Sequence, residues 1–387
     1  MKFMSLLYVL LSLPVFAQQV QPKLGENKLE NNGILFEQFK QKITSLKSGK
    51  IQKIRILHIG DSHIQPDNLS GIVRKNFQST YGNGGRGLVF PYTLAKTNGP
   101  KDFSATSTSS WNNHWIINYP HKFKIGLPGI GIKSTLDSGN ITFNFIKDSL
   151  KSPFTNGFII YSFQAEKNGH ISVSPSFKKN SNQLMFDTLH FDFKSPQTKL
   201  DIKFSGSKLL FHSSYFENEQ PGIVYNAAGV AGARYRDFLS NEFFTKQLPY
   251  FQPDMLILSL GTNESYDPTF TTEGFRSRVD SMFTMIQSKL PNCAVIITLP
   301  SENYRIKNSI PIVNDRIEII SDILRKESTR FGYSIWDLKK AMGGDGSMLQ
   351  WKEAGLVNKD YLHFLRKGYN LQGKLLFEAI HKELNAN

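Results

Sequence analysis

Ile54-Arg55-Ile56-Leu57-His58-Ile59-Gly60-Asp61-Ser62-His63 is the stretch on which the reading of this sequence turns. A run of apolar, β-branched residues stops abruptly at Gly-Asp-Ser. That pattern predicts a buried strand that delivers a serine to the edge of a sheet. Open α/β sheets bind their ligands at the carboxyl ends of the strands, so Ser62 stands where chemistry is expected. A plainer use exists for the same residues, because Asp and Ser also cap helices and a helix is expected from about Asp67. Three residues are too short a motif to separate the two uses. The rest of the chain has to decide.

Working outward, the flanking sequence alternates strands and helices. Leu35, Phe36, Phe39, Ile43 and Leu46 recur at helical spacing, and this first helix is expected to end near Ser48-Gly49. Leu69, Ile72, Val73 and Phe77 line the helix after Ser62. Beyond Pro221-Gly222, Ile223–Asn226 reads as a short strand, and Ala227–Ala233 as a turn of small residues before a helix from about Arg234. Asp254–Leu260 is a second buried-type strand ending in the polar cluster Gly261-Thr262-Asn263-Glu264. A helix over Thr272–Leu290, a strand at Ala294–Leu299, a helix over Pro311–Arg330 and a strand at Ser334–Trp336 continue the alternation. A last helix, with Tyr369, Leu376, Ala379 and Ile380 inward, follows Asp360-Tyr361-Leu362-His363. Such alternation predicts a parallel sheet with helices on both faces.

Between these blocks, from about Thr93 to Glu219, helical periodicity disappears. Short β-type runs take its place, at Trp115–Ile117, Ile141–Phe145, Gly157–Phe163, His170–Ser174, Leu189–Phe193 and Leu200–Phe204. Turn residues separate them, the signature of an all-β sandwich inserted as an independent lobe. Trp111, Trp115, Tyr119 and Tyr161 are candidates for a sugar-stacking platform, with ordinary core packing the competing use. The glycine-rich Tyr81–Gly87 stretch lacks the Lys-Ser/Thr ending of a phosphate cradle and opens no helix. Its glycines are expected to let backbone pass close to the mouth of the site.

Residues 1–17 have the form of a cleavable export signal: a lysine at position 2, an apolar run from Leu6 to Phe16, and a small-residue cleavage site near Ala17. A periplasmic or secreted protein is the expectation, with no integral membrane segment once the leader is removed. The domain organisation predicted is 18–92 with 222–387 as one discontinuous α/β domain, and 93–221 as the β insert. Cys293 is the sole cysteine of the 387 residues, which excludes an internal disulfide and any multi-cysteine zinc site. The formal net charge is +14. It suits attraction to anionic cell-wall polymer or to lipid headgroups, and equally a well-solvated surface. No basic run interleaved with aromatics supports nucleic-acid binding.

Serine hydrolysis needs a nucleophile, a base, a group that orients the base, and oxyanion donors. Ser62, His363, Asp360, and the backbone at Gly232 with the amide of Asn263 supply these four in turn, all at loop positions after strands. The motifs Gly60-Asp61-Ser62-His63, Gly232, Gly261-Thr262-Asn263-Glu264 and Asp360-Tyr361-Leu362-His363, in this order, resemble those of the SGNH (GDSL-type) hydrolases. The Tyr81–Gly87 stretch, Gly229–Ala233, Gly-Thr-Asn-Glu, and Asp360–Phe364 with Gly368-Tyr369 are further similar to the peptidoglycan O-acetylesterases of that family. So is a carbohydrate-binding-like β insert.

The resemblance implies a flavodoxin-like, three-layer α/β fold with an inserted β-sandwich. It implies catalytic Ser62, Asp360 and His363, and an oxyanion hole of Ser62, Gly232 and Asn263, with Gly229 competing for the place of Gly232. It implies chemistry that needs no metal or cofactor. The substrate implied is an O-acetylated glycan, most closely the C6 O-acetyl group of peptidoglycan muramic acid. His63 departs from the leucine common in the wider family. Other outcomes of the same residues are an acetylesterase for another polysaccharide such as xylan, a glycan O-acetyltransferase, a lipase or thioesterase, and a glycan-binding protein on an inactive hydrolase fold.

Overall fold

The computed structural model describes residues 22, 25–145, 153–165, 169–174, 180–182 and 186–386. The predicted leader at 1–17 lies outside them. A central sheet runs in the order Leu29–Glu30, Ser334–Asp337, Ala294–Leu299, Met255–Ser259, Lys53–Gly60, Gly222–Gly229, Asn83–Gly85. Every pairing is parallel except that of Leu29–Glu30 with Ser334–Asp337.

Period-two alternation divides this sheet's side chains between two cores. Ile54, Ile56, Met255, Ile257, Ala294 and Ile296 face one way. They pack with the helices Ile34–Lys47, Asn68–Tyr81 and Arg366–Leu384. Leu57, Ile59, Leu256, Leu258, Val295 and Ile297 face the other way. They pack with Tyr235–Leu239, Thr272–Lys289 and Arg316–Phe331. These strands are apolar on both faces because both faces are covered, which is why they read as continuous rather than alternating runs. Each fully buried Leu or Ile contributes about 1.5–3 kcal/mol.

The β-rich region forms two antiparallel sheets. One runs His170–Ser174, Lys199–Ser205, Gly139–Phe145, Phe103–Thr106. The other runs Asn180–Asn182, Asp187–Gln197, Phe154–Phe163, Leu209–Glu217, Ile130–Ser134, Trp111–Trp115. They pack face to face through aromatic pairs such as Phe143–Phe211 and Phe145–Phe216, with ring centroids 6.0 and 4.8 Å apart. The fold is thus an α/β parallel sheet with an inserted antiparallel sandwich. Gly87–Val89 already pairs with Leu209–Glu217, upstream of the change in sequence texture at 93. The lobe is not independent. Its core is continuous with one helical layer, and Arg55 of the serine strand is salt-bridged to Glu217 at 2.9 Å.

Several local expectations change. Of Trp115–Ile117 only Trp115 is in a strand, as the last residue of Trp111–Trp115, and Ile116-Ile117 form the turn after it. The strand after Gly222 runs on to Gly229, because Ala227–Gly229 stay in register with His58–Gly60. The glycines of the Tyr81–Gly87 stretch do not border the site. Asn83–Gly85 pairs with the start of Gly222–Gly229, at the far end from Ser62. A Cβ on Gly82 would sit 2.6 Å from the Pro221 carbonyl oxygen, and one on Gly85 2.6 Å from the Glu217 Cα. Close backbone approach is their use, but to the neighbouring strands. The helix expected over Pro311–Arg330 begins only at Arg316, and the residues before it form a hairpin.

Candidate active site

The serine strand ends at Gly60, where a Cβ would come within 2.4 Å of Ile64 Cγ1 and 2.9 Å of the Ser259 carbonyl oxygen. Only glycine allows the chain to turn there. Asp61 follows, 1% exposed. Its Oδ1 accepts from the His63 N–H at 2.9 Å, and its main-chain carbonyl accepts from the N–H groups of Ile64 and Gln65 at 3.2 and 3.1 Å. The turn is therefore fixed from inside, with Ser62 at its half-buried crest. Burial raises the Asp61 carboxyl above its ordinary range, opposed by His63 and His363. The helix Asn68–Tyr81 begins one residue after the expected position.

His363 comes from the loop before the last helix. Asp360 Oδ1 accepts from the N–H groups of Leu362 and His363 at 3.1 and 2.9 Å, and Tyr361 takes φ +52° to close the turn. Asp360 Oδ2 then faces His363 Nδ1 at 2.8 Å. On the other side of the ring, Nε2 is 2.8 Å from Ser62 Oγ. With Nδ1 protonated toward the carboxylate, Nε2 is left to accept from the serine hydroxyl. Partial burial raises the Asp360 carboxyl, but hydrogen bonds from the His363 ring and from two N–H groups outweigh it and hold the group below its ordinary value. The structure thus brings Ser62, His363 and Asp360 into one hydrogen-bonded line.

The oxyanion candidates gather beside Ser62. Gly232 has φ +82°, and a Cβ there would meet only Ile117, at 3.5 Å. Among the described residues its N–H donates to no protein atom. Gly229 is different. It lies in register with Gly60 inside the sheet, and a Cβ on it would sit 2.4 Å from the Gln65 nitrogen. Gly229 is small so that the serine turn can pack on it, which favours Gly232 as the donor. The Asn263 amide donates to the Ala233 carbonyl at 3.0 Å and to Asp61 Oδ2 at 3.3 Å. It therefore spans the gap between the small-residue turn and the serine turn.

Sequence reasoning missed Gln65, which is 2% exposed. Its Oε1 accepts from the Ala231 N–H at 2.7 Å, next to Gly232. Its Nε2 donates to Thr97 Oγ1 and to Asn98 Oδ1, at 2.9 and 2.6 Å. One side chain holds the serine turn, the oxyanion turn and the start of the β lobe together. Only the spatial neighbours, remote in sequence, reveal this. Gln65→Leu strands the Ala231 N–H and loosens the oxyanion turn. We expect kcat on a soluble acetyl ester to fall about ten- to hundredfold with KM nearly constant, as steady-state kinetics will read directly. An equal rise in KM instead would place Gln65 in binding.

Glu264, 2% exposed, accepts from the Tyr235 N–H at 2.7 Å through Oε1. Its Oε2 has no partner among the described residues. Burial pushes its pKa up to about 7, helped by Asp61 and Asp237 and opposed by backbone N–H groups. The folded protein therefore holds this proton more tightly than the unfolded chain does. Stability from the protonated form is complete below the ordinary carboxyl range and is lost as pH rises through about 7. Glu264→Gln keeps the acceptor and removes the titration. Its Tm is expected to match wild type near pH 5 and to exceed it above pH 8, the gain being on the order of 2–3 kcal/mol. Thermal melts at the two pH values test this, and a difference independent of pH would contradict it.

The other polar groups near the serine are structural. His58 is fully buried between Tyr225 OH and Ser259 Oγ, both at 2.7 Å, and burial pushes its pKa down to about 3. His63 packs on the His363 ring at 5.2 Å between centroids, with Nδ1 3.0 Å from Tyr369 OH. Burial lowers its pKa, with Asp61 opposing. Asp67, at the start of the helix after Ser62, is bound by Arg74 at 2.6 Å and Arg86 at 3.3 Å. The same arginines hold Asp102 of the β lobe. The aromatic platform is not assembled. Trp111 and Tyr161 are core, 7% and 3% exposed, and Tyr119 stacks on His121 at 4.6 Å instead. Among the described residues no three His, Cys, Asp or Glu side chains cluster as metal ligands would.

Comparison with known proteins fits this geometry. Residues 212–371 match the family described as "GDSL-like Lipase/Acylhydrolase family". That span contains Gly232, Asn263, Asp360 and His363, and begins after Ser62. No curated protein sequence matches the chain. A solved structure titled "Peptidoglycan O-acetylesterase in action, 5 min" is similar over 93% of this chain and 99% of its own, with a TM-score of 0.80 and 21% identity. A lipase/acylhydrolase from Enterococcus faecalis aligns over 42% of this chain and 77% of its own (TM-score 0.33, 23% identity). An acetyl xylan esterase aligns over 41% and 80% (TM-score 0.33, 18% identity). The chain has the SGNH hydrolase fold, and its residues 212–371 are similar to the GDSL-like lipase/acylhydrolase family.

Proposed function

We propose that this chain is an exported serine esterase that removes O-acetyl groups from a cell-wall glycan, most closely the C6 O-acetyl group of peptidoglycan muramic acid. The observation that carries the esterase reading is the unbroken line from Asp360 Oδ2 through His363 to Ser62 Oγ, with 2.8 Å at each step. Ser62 Oγ attacks the acetyl carbonyl while His363 Nε2 takes its proton. Asp360 holds the imidazolium that forms. The N–H groups of Ser62 and Gly232 and the Asn263 amide receive the oxyanion. Asn263 lends the proton now shared with Asp61, the longer of its two bonds at 3.3 Å. The tetrahedral species collapses by breaking the ester C–O bond, and His363 returns its proton to the sugar oxygen. Water, deprotonated by the same imidazole, then releases acetate from Ser62.

The substrate class rests on different support. Likeness to the peptidoglycan O-acetylesterase extends over 93% of the chain, the antiparallel sandwich included. The net charge of +14 suits an anionic cell-wall polymer, and the leader-like first 17 residues suit a periplasmic or secreted location. Acetate release from O-acetylated peptidoglycan, from the same polymer after chemical de-O-acetylation, and from acetylated xylan tests the reading. Release from the first alone is expected. Faster release from xylan would keep the esterase and replace the glycan. Transfer of acetyl to an added chitooligosaccharide in excess of hydrolysis would make the protein a transferase.

A further inference from the structure

None of this chemistry uses the segment Tyr304–Val313. Tyr304–Lys307 pairs antiparallel with Ile310–Val313. Asn308 and Ser309, at φ +50° and +63°, make the left-handed pair that a two-residue hairpin turn requires. This ribbon stands apart from the other sheets. Ile306, Ile310, Ile312 and Val313 are 51%, 62%, 48% and 52% exposed. Exposed aliphatics scattered singly need no explanation, but here four fall within eight residues.

Their register distinguishes the coverings that would suit them. Directly paired residues share a face, so Ile306, Pro311 and Val313 lie on one face and Ile310 and Ile312 on the other. A flat protein partner, or a second copy of this chain, covers one face of a ribbon and leaves the other wet. Immersion in hydrocarbon covers both. The base is fixed for such a load. Arg305 donates to Asn314 Oδ1 at 3.1 Å and to the Ser265 carbonyl, and Tyr266 OH donates to the Tyr304 carbonyl at 2.9 Å.

The ribbon is also joined to the catalytic loop. The Tyr304 N–H donates to the Tyr361 carbonyl at 3.2 Å, beside Asp360. Cations are carried by the segments that meet there. Lys307 is on the ribbon, Lys352 lies 5.3 Å from the Tyr361 ring centroid, and Lys359, Arg366 and Lys367 are exposed along the loop and the helix after it. The exposed acids on these segments are Glu353, Asp315 and Asp360 itself.

We propose that the Tyr304–Val313 ribbon inserts its tip into the surface of an anionic lipid bilayer and holds the catalytic edge there. The aliphatics enter the acyl boundary, and Lys307 lays its stem along them with its ammonium among the headgroups. The neighbouring cations add attraction that weakens with salt.

The experiment is co-sedimentation of the purified protein with vesicles of phosphatidylglycerol and phosphatidylethanolamine, and with vesicles of phosphatidylcholine alone. Wild type is expected to bind the anionic vesicles, less tightly as salt rises, and the neutral ones weakly. The triple variant Ile306→Ser/Ile310→Ser/Ile312→Ser changes only exposed side chains. It is expected to keep wild-type turnover of a soluble ester and to bind about a hundredfold less tightly, on the basis of roughly tenfold or less per inserted side chain. Lys307→Glu, which leaves the aliphatics in place, is expected to weaken binding several-fold. Three results overturn the proposal: wild type left in the supernatant at low salt, a triple variant that binds as tightly as wild type, or a wild-type dimer in light scattering that the triple variant dissolves. The readout is vesicle binding, so its failure leaves the esterase reading untouched.

Discussion

Ser62→Ala is expected to lower turnover of an acetyl ester by on the order of 10⁴- to 10⁶-fold while leaving the Tm close to wild type. The expected loss is large because, in the proposed mechanism, the substitution removes the only atom that forms the acyl bond, not a contributor to positioning. Ser62 is half-buried at the crest of its turn. The bonds that hold the turn run through Asp61 and Gln65, so the fold does not depend on the hydroxyl. Some turnover will survive, because oxyanion donors and the orienting site persist and can act on water. Rates should be measured on a soluble ester and on acetylated glycan, because a loss confined to the polymer would point to binding.

The second large effect is expected from Asp360→Asn, about 10²- to 10⁴-fold in kcat. Asp360 Oδ1 accepts from two N–H groups, those of Leu362 and His363. An asparagine amide nitrogen cannot take that place, so its oxygen stays there and its NH₂ turns toward His363 Nδ1. The imidazole then accepts at Nδ1 and carries its proton on Nε2, where it points at the nucleophile and cannot act as a base. The Asp360 side chain is 43% exposed, so water softens the penalty and the expected range extends below that of a buried aspartate. Nitrogen NMR of His363 reads the tautomer independently of activity. A variant that loses activity with the tautomer unchanged would contradict this account.

Much of the site was legible in the sequence because its parts are short and local. A β-branched run ending in Gly-Asp-Ser announces a strand and its polar end. Asp360 and His363 are three residues apart, so one turn of chain can join them. The central strands declared themselves because both faces are buried. What escaped depends on contacts remote in sequence. Gln65 is one polar residue in a turn, and nothing nearby says that Ala231 and Asn98 are its partners. The strand Leu209–Glu217 has His212, Ser213 and Ser214 at its centre, which break the apolar run. It is nevertheless wholly buried, because Ser214 donates to the Val89 carbonyl at 2.9 Å and His212 pairs with Ser162 at 2.9 Å. The second strand of the hairpin, Ile310–Val313, overlaps the helix expected from Pro311, and Tyr304–Lys307 was given no element. Proline suits a first helical position as well as a strand edge, and only Asn308-Ser309 pointed to a turn.

Acyl transfer through Ser62 is the central step, and trapping the acetyl-enzyme is the measurement to make. The protein would be mixed with an activated acetyl ester, quenched in acid before deacylation is complete, digested, and its peptides sequenced by mass spectrometry. One added acetyl group is expected, on Ser62, and it fails to form in His363→Ala on the same time scale. Acetyl on another residue, or rapid acetate release with Ser62 never modified, would contradict acyl transfer through Ser62.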